Sequence, residues 1–418
     1  MLLGAAATSP GTDAIAERYV RLVLALSVHD GDSVDAYYGP PAWQSEAATK
    51  KTPHEGIRAG IAELLEQLKA AAPPSGDDLA SLRREYLIKQ LRALDHRAGM
   101  LGGLKGSFDA ETKALYDTVA PIHPDSYFEA RLRDLDAALP GTGTVVERYN
   151  AFRGRFYIPK DKVDAAFKIA INECRLRTLA RMSLPDKESF TVEYVTGKSW
   201  SAYNWYKGGY QSVIQVNTEF PIEIDRVIDL ACHEGYPGHH VYNVLLEKNL
   251  VNDRKWVEFS VYPLFSPQSL IAEGTANYGI DVAFPGDERM TYERDVIFPL
   301  VGLDPAGAAE YRRVQTLFGR LSHAGNEAAR RYLEGRITAD QAAAWLEKYA
   351  LYSPDRAKQR VRFMDQYRSY VINYNHGKDL VAAYVESKGG TARNPSKRWE
   401  EFQKLLASPR LPGGLAVH

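Results

Sequence analysis

Apolar positions recur at helical spacing along most of the chain. Ile15, Tyr19, Leu22 and Leu26 fall three to four residues apart, which predicts a packed helix over 13–28 with Asp13 as its N-cap. The same period predicts helices over 53–71, 77–101, 124–139, 143–152 and 160–182, the last with Ile169, Leu176 and Leu179 facing the core. Gly39, Pro40 and Pro41 make 32–43 a turn-rich connector, and Pro73-Pro74-Ser75-Gly76 marks a helical hairpin. The period then shortens: Phe190-Thr191-Val192-Glu193-Tyr194-Val195 and Ser212-Val213-Ile214-Gln215-Val216-Asn217 are β-branched runs with strand character. Between them Trp200, Tyr203, Trp205, Tyr206 and Tyr210 are interspersed with Gly208 and Gly209, and read equally well as the wall of a cleft or as a loop packing its rings inward. Helical spacing returns over 221–230, 241–250, 267–281, 305–335, 338–351, 354–387 and 396–406. The pattern predicts a mostly α fold with a small β-sheet, organised as a helical region over 1–185 and a region over 186–418 that holds the sheet and the chemistry, the two forming one continuous unit.

Charge narrows the partners. Lys plus Arg number 52 against 53 Asp plus Glu, so no global field favours nucleic acid or an anionic membrane. No run of 18 apolar residues occurs, which predicts no membrane span. The start, Met1-Leu2-Leu3-Gly4-Ala5-Ala6-Ala7, lacks the basic flank and length of a secretion signal, so a cytoplasmic location is expected, or export where a leader has been removed. Two cysteines, Cys174 and Cys232, make no disulfide framework, and Cys232 is expected to be a small buried residue. Oligomeric state leaves no signature in the sequence.

The chemistry concentrates in His233-Glu234-Gly235-Tyr236-Pro237-Gly238-His239-His240. A His-Glu pair followed by a later His is the core of a zinc site in which imidazoles hold the ion and the Glu moves a proton. In the ordinary spacing the second His lies four residues on, about 6 Å along the helix and on the same face. Here that position is Pro237, and Pro237-Gly238 breaks the helix. A break that takes up two residues brings His239 to the place of the second ligand. His240 competes for it, but on an unbroken helix it stands two turns away, about 10 Å, which is long for one ion. His239 is therefore the expected ligand, with His240 left to tune binding or stabilise charge.

Zinc needs a third protein ligand, and Glu273, in the apolar run Leu270-Ile271-Ala272-Glu273-Gly274-Thr275-Ala276, is a carboxylate that a metal would compensate. Asn277 and Asp281, one and two turns on, are candidate partners for the ligand imidazoles. Tyr370 and Tyr374, one turn apart, are candidates for stabilising an oxyanion, against the plainer role of helix packing; His323 reads as structural.

These segments resemble a known family. His233-Glu234-Gly235-Tyr236-Pro237-Gly238-His239 resembles the H-E-x-x-P-G-H motif of the bacterial family called domain of unknown function 885, a zincin-like group of metallopeptidases. Glu273-Gly274-Thr275-Ala276-Asn277-Tyr278 resembles its E-G-W-A-x-Y segment, with Thr275 in place of Trp, and Tyr370-Val371-Ile372-Asn373-Tyr374-Asn375-His376-Gly377 is loosely similar to a late Tyr-and-Gly helix. Val241-Tyr242 replaces a common Leu-Gln pair. The resemblance implies a helical gluzincin architecture around a cleft, related in plan to the helical carboxypeptidases and peptidyl-dipeptidases. The resulting expectation is a zinc hydrolase of peptide or amide bonds, with His233, His239 and Glu273 on the metal and Glu234 as base. Two alternatives use the same residues: a binding protein without turnover, and an amidase of small non-peptide substrates.

Overall fold

In the computed structural model, which describes residues 11–70 and 78–415, helices dominate and the strands form two small sheets. The apolar start at residues 1–7 and the hairpin at Pro73-Pro74-Ser75-Gly76 lie outside the described residues. Among the helices are α1 (Thr12–Ser27), α2 (His54–Ala70), α3 (Asp78–Leu101), α4 (Val163–Leu179), α5 (Ile224–Leu230), α6 (His239–Leu246), α7 (Pro267–Ala283), α8 (Pro354–Tyr367), α9 (Ile372–Ser387) and α10 (Pro395–Leu406). The strands are β1 (Val34–Tyr37), β2 (Ser189–Val195), β3 (Ala202–Gly208), β4 (Gln211–Asn217) and β5 (Val261–Pro263). β4 is central in a three-stranded sheet, parallel to β2 and antiparallel to β3, while β1 pairs antiparallel with β5.

Several expectations are corrected. The connector over 32–43 contains β1 and the first turn of the helix Pro41–Lys50, because alternation in Val34-Asp35-Ala36-Tyr37 lets Ala36 face inward while a strand from residues 261–263 satisfies its backbone. Gly11, not Asp13, is the N-cap of α1; Asp13 lies in the first turn and pairs with Arg83 at 2.7 Å. In α4 the buried face runs through Val163, Ala166, Phe167, Ala170, Cys174 and Thr178, and Leu176 and Leu179 are exposed. Ala166, Ala170, Cys174 and Thr178 keep much of that face small where the helix packs on residues 231–235. The stretch 305–335 divides into the helices Ala308–Gly319 and Ala324–Leu333, and 354–387 divides at the turn Arg368–Val371, where Arg368 takes φ 51°. The aromatic segment is strand β3: Tyr203 faces the cavity and Tyr206 the core, so both readings hold on alternate residues.

At the centre stands α7, buried along nearly its whole length. It crosses α9 at glycines from both sides: a Cβ on Gly274 would stand 2.5 Å from the Gly377 carbonyl oxygen, and one on Gly377 would stand 2.9 Å from that of Leu270. Backbone cannot retreat as a flexible side chain can. Gly274→Ala is therefore expected to destabilise the fold by about 1–3 kcal/mol, the cost of overpacking, measured as a lowered urea midpoint. Stability equal to wild type would show that the two helices are free to separate.

Candidate metal centre

α5 enters the site as an ordinary helix and widens at Ala231–Gly235 into a π-helical turn, in which the Tyr236 N–H donates to the Ala231 carbonyl at 3.2 Å. The chain then breaks at Tyr236–Gly238 and restarts as α6 at His239. Six residues on a regular helix turn through about 600°, placing His239 on another side from His233. The wide turn and the break remove that offset, and the two Nε2 atoms lie 3.1 Å apart. Gly238 makes the approach possible, since its N–H donates to the Cys232 carbonyl at 2.9 Å and a Cβ there would lie 1.9 Å from the His233 carbonyl oxygen.

Glu273 arrives from α7. Its Oε2 is 3.2 Å from His233 Nε2 and 3.6 Å from His239 Nε2, and this buried oxygen has no hydrogen-bond partner among the described residues. Ligands about 2.0–2.1 Å from a tetrahedral zinc stand about 3.3 Å from one another. Three donor atoms separated by 3.1, 3.2 and 3.6 Å around one point fit that ion. Glu234 also falls within 4.8 Å of both imidazoles, but its nearest approach, Oε1 to His233 Nε2, is 4.0 Å, so it stands back from the three. Burial resists charging His239, yet the Glu273 carboxylate outweighs it and raises His239 to about 9. Glu273 itself, despite burial, is held far below the usual carboxylate range by His239 and His233. Glu234 is shifted upward, because burial exceeds the pull of His233 and His239.

His240 points away. It is fully buried, with Nε2 2.9 Å from Glu188 Oε2 and Nδ1 2.9 Å from the Ser212 hydroxyl. Glu188 also accepts from Tyr236 at 2.5 Å and Arg175 at 2.8 Å, so this cluster ties the broken helix to β4 and α4. A direct part for His240 in substrate chemistry does not fit this placement, because adjacent residues on a helix diverge by about 100° and only one can face the metal point.

Tyr370 does meet the site: its hydroxyl donates to Glu273 Oε1 at 2.8 Å. Tyr374 lines the same cavity, its ring 5.8 Å from that of Tyr370. Asn277 and Asp281 do not reach the imidazoles. Asn277 donates to the carbonyls of Glu273 and Tyr374, at 3.1 and 3.2 Å, and Asp281 pairs with Lys378 at 2.7 Å. Their spacing on α7 turns them towards α9 instead. His323 pairs with Asp379 at 3.0 Å, outside the cluster.

Asp35 is an acid of the site that the sequence did not single out. Asp35 on β1 lines the cavity, accepts a short hydrogen bond from Tyr203, and is raised to about 6 by burial, with Glu273 and Glu234 adding repulsion. The period-two alternation around it was its available signal. Together these groups floor a cavity of about 740 Å³.

No protein-family model matches the chain, and no curated protein matches it. Among solved structures it is similar to a candidate lipoprotein from Colwellia psychrerythraea, at 16% identity and TM-score 0.52, over 96% of this chain and 74% of that one. A candidate lipoprotein of unknown function from Shewanella oneidensis aligns at 13% identity and TM-score 0.44, over 94% and 82% of the two chains. An M32 carboxypeptidase from Deinococcus radiodurans R1 aligns at 12% identity and TM-score 0.40, over 96% and 92%. The first of these likenesses speaks to the fold alone.

Proposed function

We propose that the chain is a zinc-dependent hydrolase that cleaves a peptide bond or a related amide in the cavity above His233, His239 and Glu273. The observation that carries this reading is the convergence of two imidazole Nε2 atoms on a buried carboxylate oxygen that has no other partner among the described residues, with a second carboxylate, Glu234, set back beside them. Zinc held there supplies Lewis acidity towards a carbonyl oxygen and acidifies water. Glu234 takes the proton of the attacking water on its free carboxylate and passes it to the leaving nitrogen, work suited to a carboxylate whose proton affinity is raised by burial. Tyr370 fixes the orientation of Glu273 through its 2.8 Å hydrogen bond, a positioning part. Tyr374 keeps its proton, since burial and then the nearby Glu273 raise its pKa well above the ordinary value, and is available to donate to a developing oxyanion.

Metal removal tests the reading. Chelator-free protein is expected to carry about one zinc per chain and to cleave members of a mixed peptide library; chelation should abolish cleavage and added zinc restore it. Cleavage indifferent to chelation, or protein without zinc after purification in its presence, would sink the proposal.

A further inference from the structure

One face of α8 walls the cavity through Arg356, Gln359, Arg360, Phe363 and Tyr367, positions that fall on one side of the helix. Its C-terminal end adjoins the metal centre, where the Tyr367 ring lies 6.1 Å from that of Tyr370, the residue bonded to Glu273. Most cations of this wall are matched by acids: Arg153 with Glu223 at 2.5 Å, Arg226 and Arg289 with Asp229 at 3.1 and 2.7 Å, Lys378 with Asp281 at 2.7 Å. Arg356 and Arg360 have no carboxylate within 4.0 Å among the described residues. Arg312 shares that lack but stands on another helix, Ala308–Gly319, and has no ring beneath it among the described residues.

Aromatic shelves hold the two α8 arginines. The Arg360 guanidinium stands 4.2 Å from the Phe363 ring centre and 5.7 Å from that of Tyr374, and Arg356 stands 5.5 Å from Tyr352 and 6.0 Å from Phe220. A ring restrains a guanidinium without using up its N–H donors, and with those donors arginine takes a carboxylate through two parallel hydrogen bonds. Burial of Arg356, joined by repulsion from Arg153 and Arg226 and opposed by Tyr352 and Glu223, weakens its hold on its proton.

The geometry points to a carboxylate-binding subsite formed by Arg360 and Arg356, which takes the terminal carboxylate of a peptide substrate on the wall leading away from the metal centre. At 1.5 Å per residue, Arg360 lies about 10 Å along α8 from Tyr367 and Arg356 about 16 Å. An extended peptide covers about 3.3–3.6 Å per residue, so Arg360 meets a terminus roughly three residues beyond the cleaved bond and Arg356 one about two residues longer. Release of short C-terminal fragments follows, and blocked or long internal segments are disfavoured. This inference rests on the peptidase reading for its substrate, but the subsite can fail or stand without turnover.

The test compares one short peptide as free acid, as C-terminal amide, and as amide carrying a glutamate near its end. With zinc-loaded protein the free acid is expected to exceed the plain amide in kcat/KM by roughly 10- to 100-fold, the scale of a charge-assisted hydrogen-bonded contact, and mainly through KM. Arg360→Gln and Arg356→Gln should collapse that ratio towards one, with Arg→Lys variants retaining part of it. Equal rates for acid and amide overturn the subsite, as does a high ratio that both variants leave intact. Rescue of the amide by its glutamate would transfer the preference to acidic side chains and overturn the terminal assignment. If no peptide is cleaved, equilibrium binding of acid and amide to the zinc-loaded protein decides the subsite separately: tighter acid binding that falls in the Gln variants supports it, and equal binding removes it. Should a Gln variant fail to fold, the Lys variants carry the same comparison.

Discussion

Glu234→Gln is expected to reduce turnover by about 10²- to 10⁴-fold while zinc content stays at the wild-type level. The side chain lies 4.0 Å from His233 Nε2, beyond the tighter triangle of His233, His239 and Glu273, so its loss should leave the ion held. Glutamine matches glutamate in size and cannot accept and return a proton, so packing in this buried position is preserved and proton transfer is removed. Activity on the most readily cleaved library peptide, set beside metal analysis of the same preparation, reads both consequences. A variant as active as wild type would exclude Glu234 as the base; a variant that loses its zinc would make it a ligand.

Substituting the two adjacent histidines should have opposite results. His239→Ala removes one corner of the triangle and leaves Glu273 facing His233 alone, so most of the zinc and all measurable turnover are expected to go. His240→Ala should keep the zinc and lose stability instead. Its imidazole is fully buried between Glu188 and Ser212, and its removal takes one partner from the buried Glu188 and opens a void, at a cost of about 2–4 kcal/mol. Zinc stoichiometry and urea unfolding of both variants separate the cases. Loss of zinc from His240→Ala, with zinc retained in His239→Ala, would mean that the broken helix does not have the path described above.

Much of this was legible in the chain. Helical periodicity located most helices to within a few residues, since a helix that buries one face must repeat its apolar positions whatever it packs against. The residues that converge at the candidate metal centre were legible for a different reason: His233, Glu234 and His239 lie in one short segment, and Glu273 is a charge where the surrounding residues are apolar. Pro237 and Gly238 announced the break, because no regular helix accommodates that pair.

Tertiary structure decided whatever depends on partners distant in sequence. The sequence could rank His239 above His240 but not assign them, because the direction of each ring follows from the π-helical turn and from Glu188 and Ser212, 52 and 28 residues away from His240. Asp35 became a cavity residue only when β1 paired with β5, more than two hundred positions along the chain. Asn277 and Asp281 had the right spacing from Glu273 to support the metal, yet α9 packs on that face through Gly274 and Gly377 and takes both. Arg356 and Arg360 gave no signal at all, since an arginine left without an acid is recognised only when every neighbouring carboxylate is seen to belong to another cation. Local chemistry is written in short segments and can be read there; orientation and pairing are properties of contacts between segments, and the fold alone supplies them.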